Sequence, residues 1–201
     1  MTTKPAPPLN ATFEVEAPVD EVFAVLEDLA AYPSWWPSVF CAAQEVFAGG
    51  DGGVGRVLSF ATKGWAPGRL RWSARLATVE RPRVLALEAF GDLEGPLTFT
   101  LEERGSLTVI AFAWAARVEG SLPGLAGLVA PSNLRWAVAQ CGPSLDLEVR
   151  RRRAANEAER AAIAAAPRPT PSTSLPFTLG AAGLLSAVAG AAVLWRKHRD
   201  S

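Results

Sequence analysis

Side chains able to do chemistry are few in this 201-residue chain, and they are scattered. Asp92 and Glu94 stand two apart in GDLEG, a spacing that would suit paired carboxylates in acid–base work. Gly–Asp and Glu–Gly around a single Leu are also what a tight link between two strands uses. At a solvated tip neither carboxyl would be moved towards neutrality, so the link is the preferred reading. Arg56, on the alternating face of Leu58 and Phe60, and Glu88 are the other charged candidates, each more simply a surface or edge charge. The single histidine, His198, lies beyond a long apolar run, so no Ser–His or Cys–His pair can be assembled in the body of the chain. Cys41 and Cys141 have no second Cys and no His at metal-ligand spacing, and both read as buried, reduced thiols. Phosphate-binding loops, dinucleotide fingerprints and metal clusters are missing from the sequence. The expectation is no catalytic set, no metal and no cofactor.

What the sequence offers instead is aromatic and apolar surface. Leu70, Trp72, Ala74 and Leu76 alternate with Arg71, Ser73 and Arg75, and Leu97, Phe99 and Leu101 alternate with Thr98 and Thr100. Ile110, Phe112 and Trp114 alternate with alanines. With the large residues turned inward, they predict an aromatic, nearly charge-free pocket with Val138 and Cys141 on a facing helix. The candidate ligand-binding residues are Trp36, Phe60, Trp72, Leu76, Phe99, Phe112, Trp114, Val138 and Cys141. In AAYPSWWPSV, Tyr32, Trp35 and Trp36 stand together between prolines; core packing and ligand contact both remain open for these rings, and spacing does not separate Trp35 from Trp36.

These side chains need elements to position them. NATFEVE alternates like a strand, and APVDEVFAVLEDL switches to helical spacing with Val19, Val22, Phe23 and Leu26 on one face. Strands are predicted at about 40–47, 53–61, 70–80, 84–90, 96–103 and 107–117, joined by short links as in an antiparallel meander. Leu134, Val138, Cys141, Leu145 and Val149 then predict one long helix from an N-cap at Ser132 to the Arg150–Arg153 run, kinked or broken at Pro143. The connection EGSLPGLAGLVAPSN before it is apolar and broken by Gly and Pro; it could gate a cavity, touch a bilayer through Leu122, Leu125, Leu128 and Val129, or simply pack on the domain.

Composition divides the chain further. Lys plus Arg equals Asp plus Glu at 20 each, so no net field draws it to nucleic acid. Residues 1–9 read as a disordered N-terminus, 10–160 as the domain, 161–175 as a Pro/Ala/Ser/Thr linker, 176–195 as a transmembrane helix and 196–201 as a basic tail. The run FTLGAAGLLSAVAGAAVLW is uncharged over about the length that crosses a hydrocarbon core, and Trp195 followed by Arg196 and Lys197 supplies an interfacial ring and a basic stop. MTTKPAPPLNATFEVE has no apolar stretch of a secretory signal, which keeps the domain in the cytoplasm; the basic residues beyond the span argue the reverse, and the first reading is preferred.

The order strand, two short helices, six-stranded meander and long terminal helix resembles the helix-grip fold of the SRPBCC or START-like superfamily. FEVEAPVDEVFAVLEDLAAYPSWWPSV is similar to the opening of its polyketide cyclase/dehydrase branch, carried by Ala17-Pro18-Val19-Asp20, Val22-Phe23, Asp28, Tyr32-Pro33 and Trp35-Trp36. TKGWAPGRLRW and GDLEG resemble further pieces of one subgroup. The chain departs from that subgroup where an Asn–His pair would stand in the last helix: Leu134-Arg135 occupies the place. The resemblance implies an α+β fold with a curved antiparallel sheet wrapped around a long C-terminal helix, and helices around YPSWWP closing the open end of the sheet. It implies no single chemistry, because the superfamily hosts carriers, receptors and enzymes. The expected function is a membrane-tethered domain binding a hydrophobic small molecule or lipid. The alternatives are a polyketide cyclase or aromatase, or a membrane-associated assembly or interaction module.

Overall fold

The computed structural model describes residues 8–65, 68–118 and 125–165; of Asp51 and residues 125–130 only the backbone is described. Strand β1 (Leu9–Val15) leads into α1 (Val19–Glu27), a single turn at Leu29–Ala31 and the short α2 (Tyr32–Trp35). The meander follows as β2 (Phe40–Phe47), β3 (Val57–Thr62), β4 (Leu70–Glu80), β5 (Val84–Gly91), β6 (Leu93–Arg104) and β7 (Leu107–Trp114). A two-residue β8 (Arg117–Val118) precedes α3 (Leu125–Ala139), α4 (Cys141–Arg153) and α5 (Glu157–Ala162).

All pairings are antiparallel, in the order β1-β7-β6-β5-β4-β3-β2, with β8 added to β6. The first two strands in sequence therefore lie at opposite edges, and α1 and α2 carry the chain across between them. Register shifts between Phe40 and Ala42, between Glu45 and Phe47, and between Leu76 and Thr78 put extra residues into β2 and β4. Such bulges bend and twist the strands that carry them, which curves the sheet. Alternation decides which side is covered: in β5, Leu85, Leu87 and Ala89 are buried while Val84, Ala86 and Glu88 are not.

Helix α1 buries Val19, Val22, Phe23, Val25 and Leu26, a stripe of three- and four-residue steps, and Asp20 and Glu21 in its first turn oppose the positive end of its dipole. Four arginines in the last turn of α4 do the same at a negative end. They also reach back to the start of the chain: Arg152 pairs with Asp28 at 3.2 Å and Arg153 with Glu21 at 3.2 Å. A buried hydroxyl makes a further tie, Thr108 Oγ1 donating to the Ala17 carbonyl at 2.7 Å. Thr108→Val leaves that carbonyl without its partner, and urea unfolding should show a loss of about 1–2 kcal/mol.

The structure corrects three local expectations. Helix α3 begins at Leu125 and continues through Pro131, so Ser132 lies inside it and is not an N-cap. The connection expected over 119–133 is thus helical from Leu125; residues 119–124 and the side chains of Leu125, Leu128 and Val129 lie outside the description. Second, the long helix is two helices that part at Gln140, three residues before Pro143. Pro143 has no N–H for the Ala139 carbonyl and its ring crowds that carbonyl, but as the third residue of a new helix its missing donor costs nothing. Gly142 beside it allows close approach, since a Cβ there would stand 2.9 Å from the Phe13 ring of β1. Third, the strand expected to 117 is interrupted after Trp114. Gly95 in β6 takes φ +111°, and a Cβ on it would run into the Ala115 carbonyl, so the chain is displaced over Ala115–Ala116 before pairing resumes as β8.

Among the described residues no helix is long and apolar enough to cross a membrane. Of the segment 1–9 expected to be disordered, Leu9 instead opens β1 and residues 1–7 lie outside the description, as do most of the linker, the expected transmembrane run and the basic tail, whereas α5 extends the domain to Ala162.

Candidate functional site

A cavity lies between the concave face of the sheet and helices α2 and α3. The space free of protein atoms is about 720 Å3 including its opening to solvent, but the part wide enough for the centre of a water molecule to move in is only about 70 Å3. The enclosure is therefore narrow, fit for a slim or flat occupant or for one that swings the rings aside.

Its wall is a run of aromatic rings supplied by five strands and by the end of α2. Trp36 lies 5.1 Å from Phe40, Phe40 5.2 Å from Phe60, Phe60 5.0 Å from Trp72 and Trp72 5.5 Å from Trp114, centroid to centroid. Phe112 and Phe99, 5.0 Å apart, extend the run. Strand pairing sets this order: Phe60 is opposite Trp72 across β3 and β4, and Phe99 opposite Phe112 across β6 and β7. From the helix side come Leu134, Ala137 and Val138, one face of α3. The lining residues left partly exposed include Lys63, Leu70, Asn133 and Leu134, which places the mouth between the β3–β4 link and α3. Gly64 lets the two come together, because a Cβ there would occupy the space of the Asn133 amide.

Seven of the nine candidate residues reach the wall: Trp36, Phe60, Trp72, Phe99, Phe112, Trp114 and Val138. Leu76 faces the same side of β4 but lies farther along the strand, in solid core, 1% exposed. Cys141 is equally buried, at the junction of α3 and α4, and does not reach the cavity either. The tryptophan ambiguity is resolved by the short α2: Trp36 lines the cavity, whereas Trp35 is wholly buried and absent from the wall. Tyr32, for which core packing and ligand contact were both open, lines the wall, and Phe40, Leu87 and Leu93 are wall residues that pattern reading passed over. Leu87 was within reach of the same alternation rule. Leu93 was hidden by its place in GDLEG, whose link proves tighter than a solvated tip: Asp92 Oδ2 accepts from the Arg71 backbone N–H at 2.7 Å, Leu93 turns inward, and Glu94 of β6 already pairs with Arg117 of β8.

The charged candidates stand elsewhere. Arg56 pairs with Glu45 of the neighbouring strand at 3.0 Å, and Glu88 lies on the outer face of β5 opposite Arg75. Neither lines the cavity. Arg135 is exposed, and its neighbour Leu134 takes the wall position. Among the described residues no group of His, Cys, Asp and Glu is placed to hold a metal ion.

Polar groups at the wall are few. Trp72 Nε1 donates to Thr62 Oγ1 at 3.0 Å, while the indole N–H groups of Trp36 and Trp114 have no acceptor among the described residues. Tyr32 Oη donates to the Leu26 carbonyl at 2.8 Å. Burial pushes its phenol well above its ordinary value, with the Cys141 thiol and Asp28 adding to the effect, and burial alone pushes the Cys141 thiol up as well. Both groups stay neutral in the folded state where the unfolded chain would ionise, so the folded state holds more protons at alkaline pH. The contribution of these two groups should be constant below about pH 9, the ordinary range of a thiol, and fall above it by up to about 1.4 kcal/mol per pH unit per group. Urea titrations between pH 8 and 11 check this; in Cys141→Ala the fall should begin only near the phenol range.

A curved antiparallel sheet closed by helices over an internal apolar cavity is the architecture of the helix-grip, START-like proteins. The chain belongs to the family described as polyketide cyclase / dehydrase and lipid transport, which matches residues 8–143. Among solved structures it is similar to the Zhui aromatase/cyclase from Streptomyces sp. R1128, at 17% identity and TM-score 0.60 over 74% of this chain and 96% of that one. A START superfamily protein from Mycobacterium smegmatis matches at 18% identity and TM-score 0.56, over 71% and 96%. A protein from Thermus thermophilus matches at 16% identity and TM-score 0.56, over 71% and 97%. No curated protein matches the chain.

Proposed function

We infer that the domain binds a hydrophobic small molecule or lipid in this cavity and works as a carrier or receptor, held at a membrane by residues 176–195. The observation that carries the reading is the wall: a continuous run of rings around open space, in a family that includes lipid transport. Aromatic surface facing open space is kept at a cost in packing density, and an apolar occupant recovers those contacts. The test is binding of an apolar fluorophore. Trp72→Ala and Trp114→Ala should weaken it about tenfold or more, with a smaller fractional loss of folding free energy. Variants that simply unfold, or that bind unchanged, would reduce these rings to core.

The fold of the Zhui aromatase/cyclase favours a second reading, ring closure or dehydration of a bound polyketide-like substrate. Against it stands the titratable inventory of the wall, which among the described residues is Lys63 and Tyr32, with the Tyr32 hydroxyl already donating to a backbone carbonyl. Turnover of an aromatic substrate, lost in Lys63→Met, would favour the enzyme.

The tether rests on the uncharged run Phe177 to Trp195 and its basic flank. A cytoplasmic position for the domain agrees with Cys41 and Cys141 both being free thiols. With Ser201→Cys as reporter, an impermeant thiol reagent on intact cells should label the tail end and spare the domain. The opposite pattern overturns the orientation.

A further inference from the structure

The cavity wall is unbalanced in its hydrogen-bonding groups. Of its three tryptophans only Trp72 has an acceptor, the Thr62 hydroxyl. Trp36 and Trp114 are 5% and 6% exposed, and their Nε1 atoms are sealed from solvent with no acceptor among the described residues. Buried donors are paired in the great majority of cases, so two unpaired ones in the wall of one cavity call for a reason. Indole N–H can only donate, and so can the ammonium of Lys63. None of the ion pairs among the described residues involves Lys63, although it stands at the mouth. Against these donors the described residues of the wall present no carboxylate and no imidazole.

From this imbalance we propose that the cavity selects apolar molecules ending in an oxygen acceptor, a carboxylate foremost. The indole N–H groups of Trp36 and Trp114 would meet the acceptor oxygens of such a molecule, and Lys63 would meet its charge. A ligand ending in an ammonium would leave all three donors unanswered and add a like charge beside Lys63. The inference rests on the binding reading above, and the probes below separate the failure of one from the failure of the other.

Four probes share one naphthalene body: naphthoate, acetylnaphthalene, ethylnaphthalene and naphthylmethylammonium. Tryptophan-quench titration of the full chain should rank naphthoate first, acetylnaphthalene second and the ammonium last, with about tenfold or more between the ends. Trp36→Phe combined with Trp114→Phe keeps two rings and removes both N–H groups. It should weaken naphthoate and acetylnaphthalene by about fivefold or more and leave ethylnaphthalene unchanged. Lys63→Met should weaken naphthoate alone. If all four probes bind alike and neither variant alters their order, the selection does not exist, although the apolar cavity remains. Should ethylnaphthalene and the others all fail to bind, the binding reading itself falls and takes this inference with it.

Discussion

Trp35→Ala is expected to cost about 3–5 kcal/mol of folding free energy, the largest effect of any single truncation near the site. Trp35 is wholly buried, stacks on Trp36 at 5.5 Å and meets Tyr32 edge-on at 4.9 Å. Because it packs behind the cavity rather than on it, no open space exists to absorb the loss. Tyr32 and Trp36, which do line the cavity, would lose the surface that orients them. Trp35→Phe should be far milder, below about 1.5 kcal/mol, since it keeps a ring and removes an indole N–H that has no acceptor among the described residues. Denaturant unfolding of the pair separates packing from polarity: a Phe variant as unstable as the Ala variant would mean that the indole shape itself is required.

The second large effect is on binding with folding retained. Ala137 lies on the cavity face of α3, among wall residues and beside the mouth. Ala137→Phe sends a ring into this narrow space and swings neighbouring rings aside, so it should cost about 1–3 kcal/mol and leave the chain folded. Affinity for an apolar fluorophore should fall about a hundredfold, because the occupant and the new ring compete for the same volume. The same substitution at a solidly packed site would unfold the protein. A stable variant that still binds would place the ligand elsewhere.

These two tryptophan and alanine positions also show where the sequence was readable. The wall of β4, β6 and β7 follows from period-two alternation, because each strand has one covered face and one in solvent: Trp72 with Arg71 and Ser73, Phe99 with Thr98 and Thr100. A covered strand face must be apolar, so the pattern is a direct imprint of burial. Depth along a strand leaves no such imprint. Leu76 obeys the same alternation as Trp72 yet sits in solid core, immediately before the bulge in β4. Helix periodicity likewise brought Cys141 in with Val138, but the backbone parts at Gln140 and the two residues no longer share a face. The Trp35–Trp36 question turned on a four-residue helix, too short to have a period. Gly95 shows the remaining blind spot: its left-handed backbone, which ends β7 early, depends on a carbonyl twenty residues away in sequence.

The claim at the centre of this account is that the aromatic cavity holds an apolar molecule. Mass spectrometry of solvent extracts from the purified full chain, run in parallel on Ala137→Phe, tests it most directly. The account predicts an apolar species in the native extract, near one per chain, that the variant lacks. A native extract containing nothing beyond what the filled-cavity variant yields would contradict it.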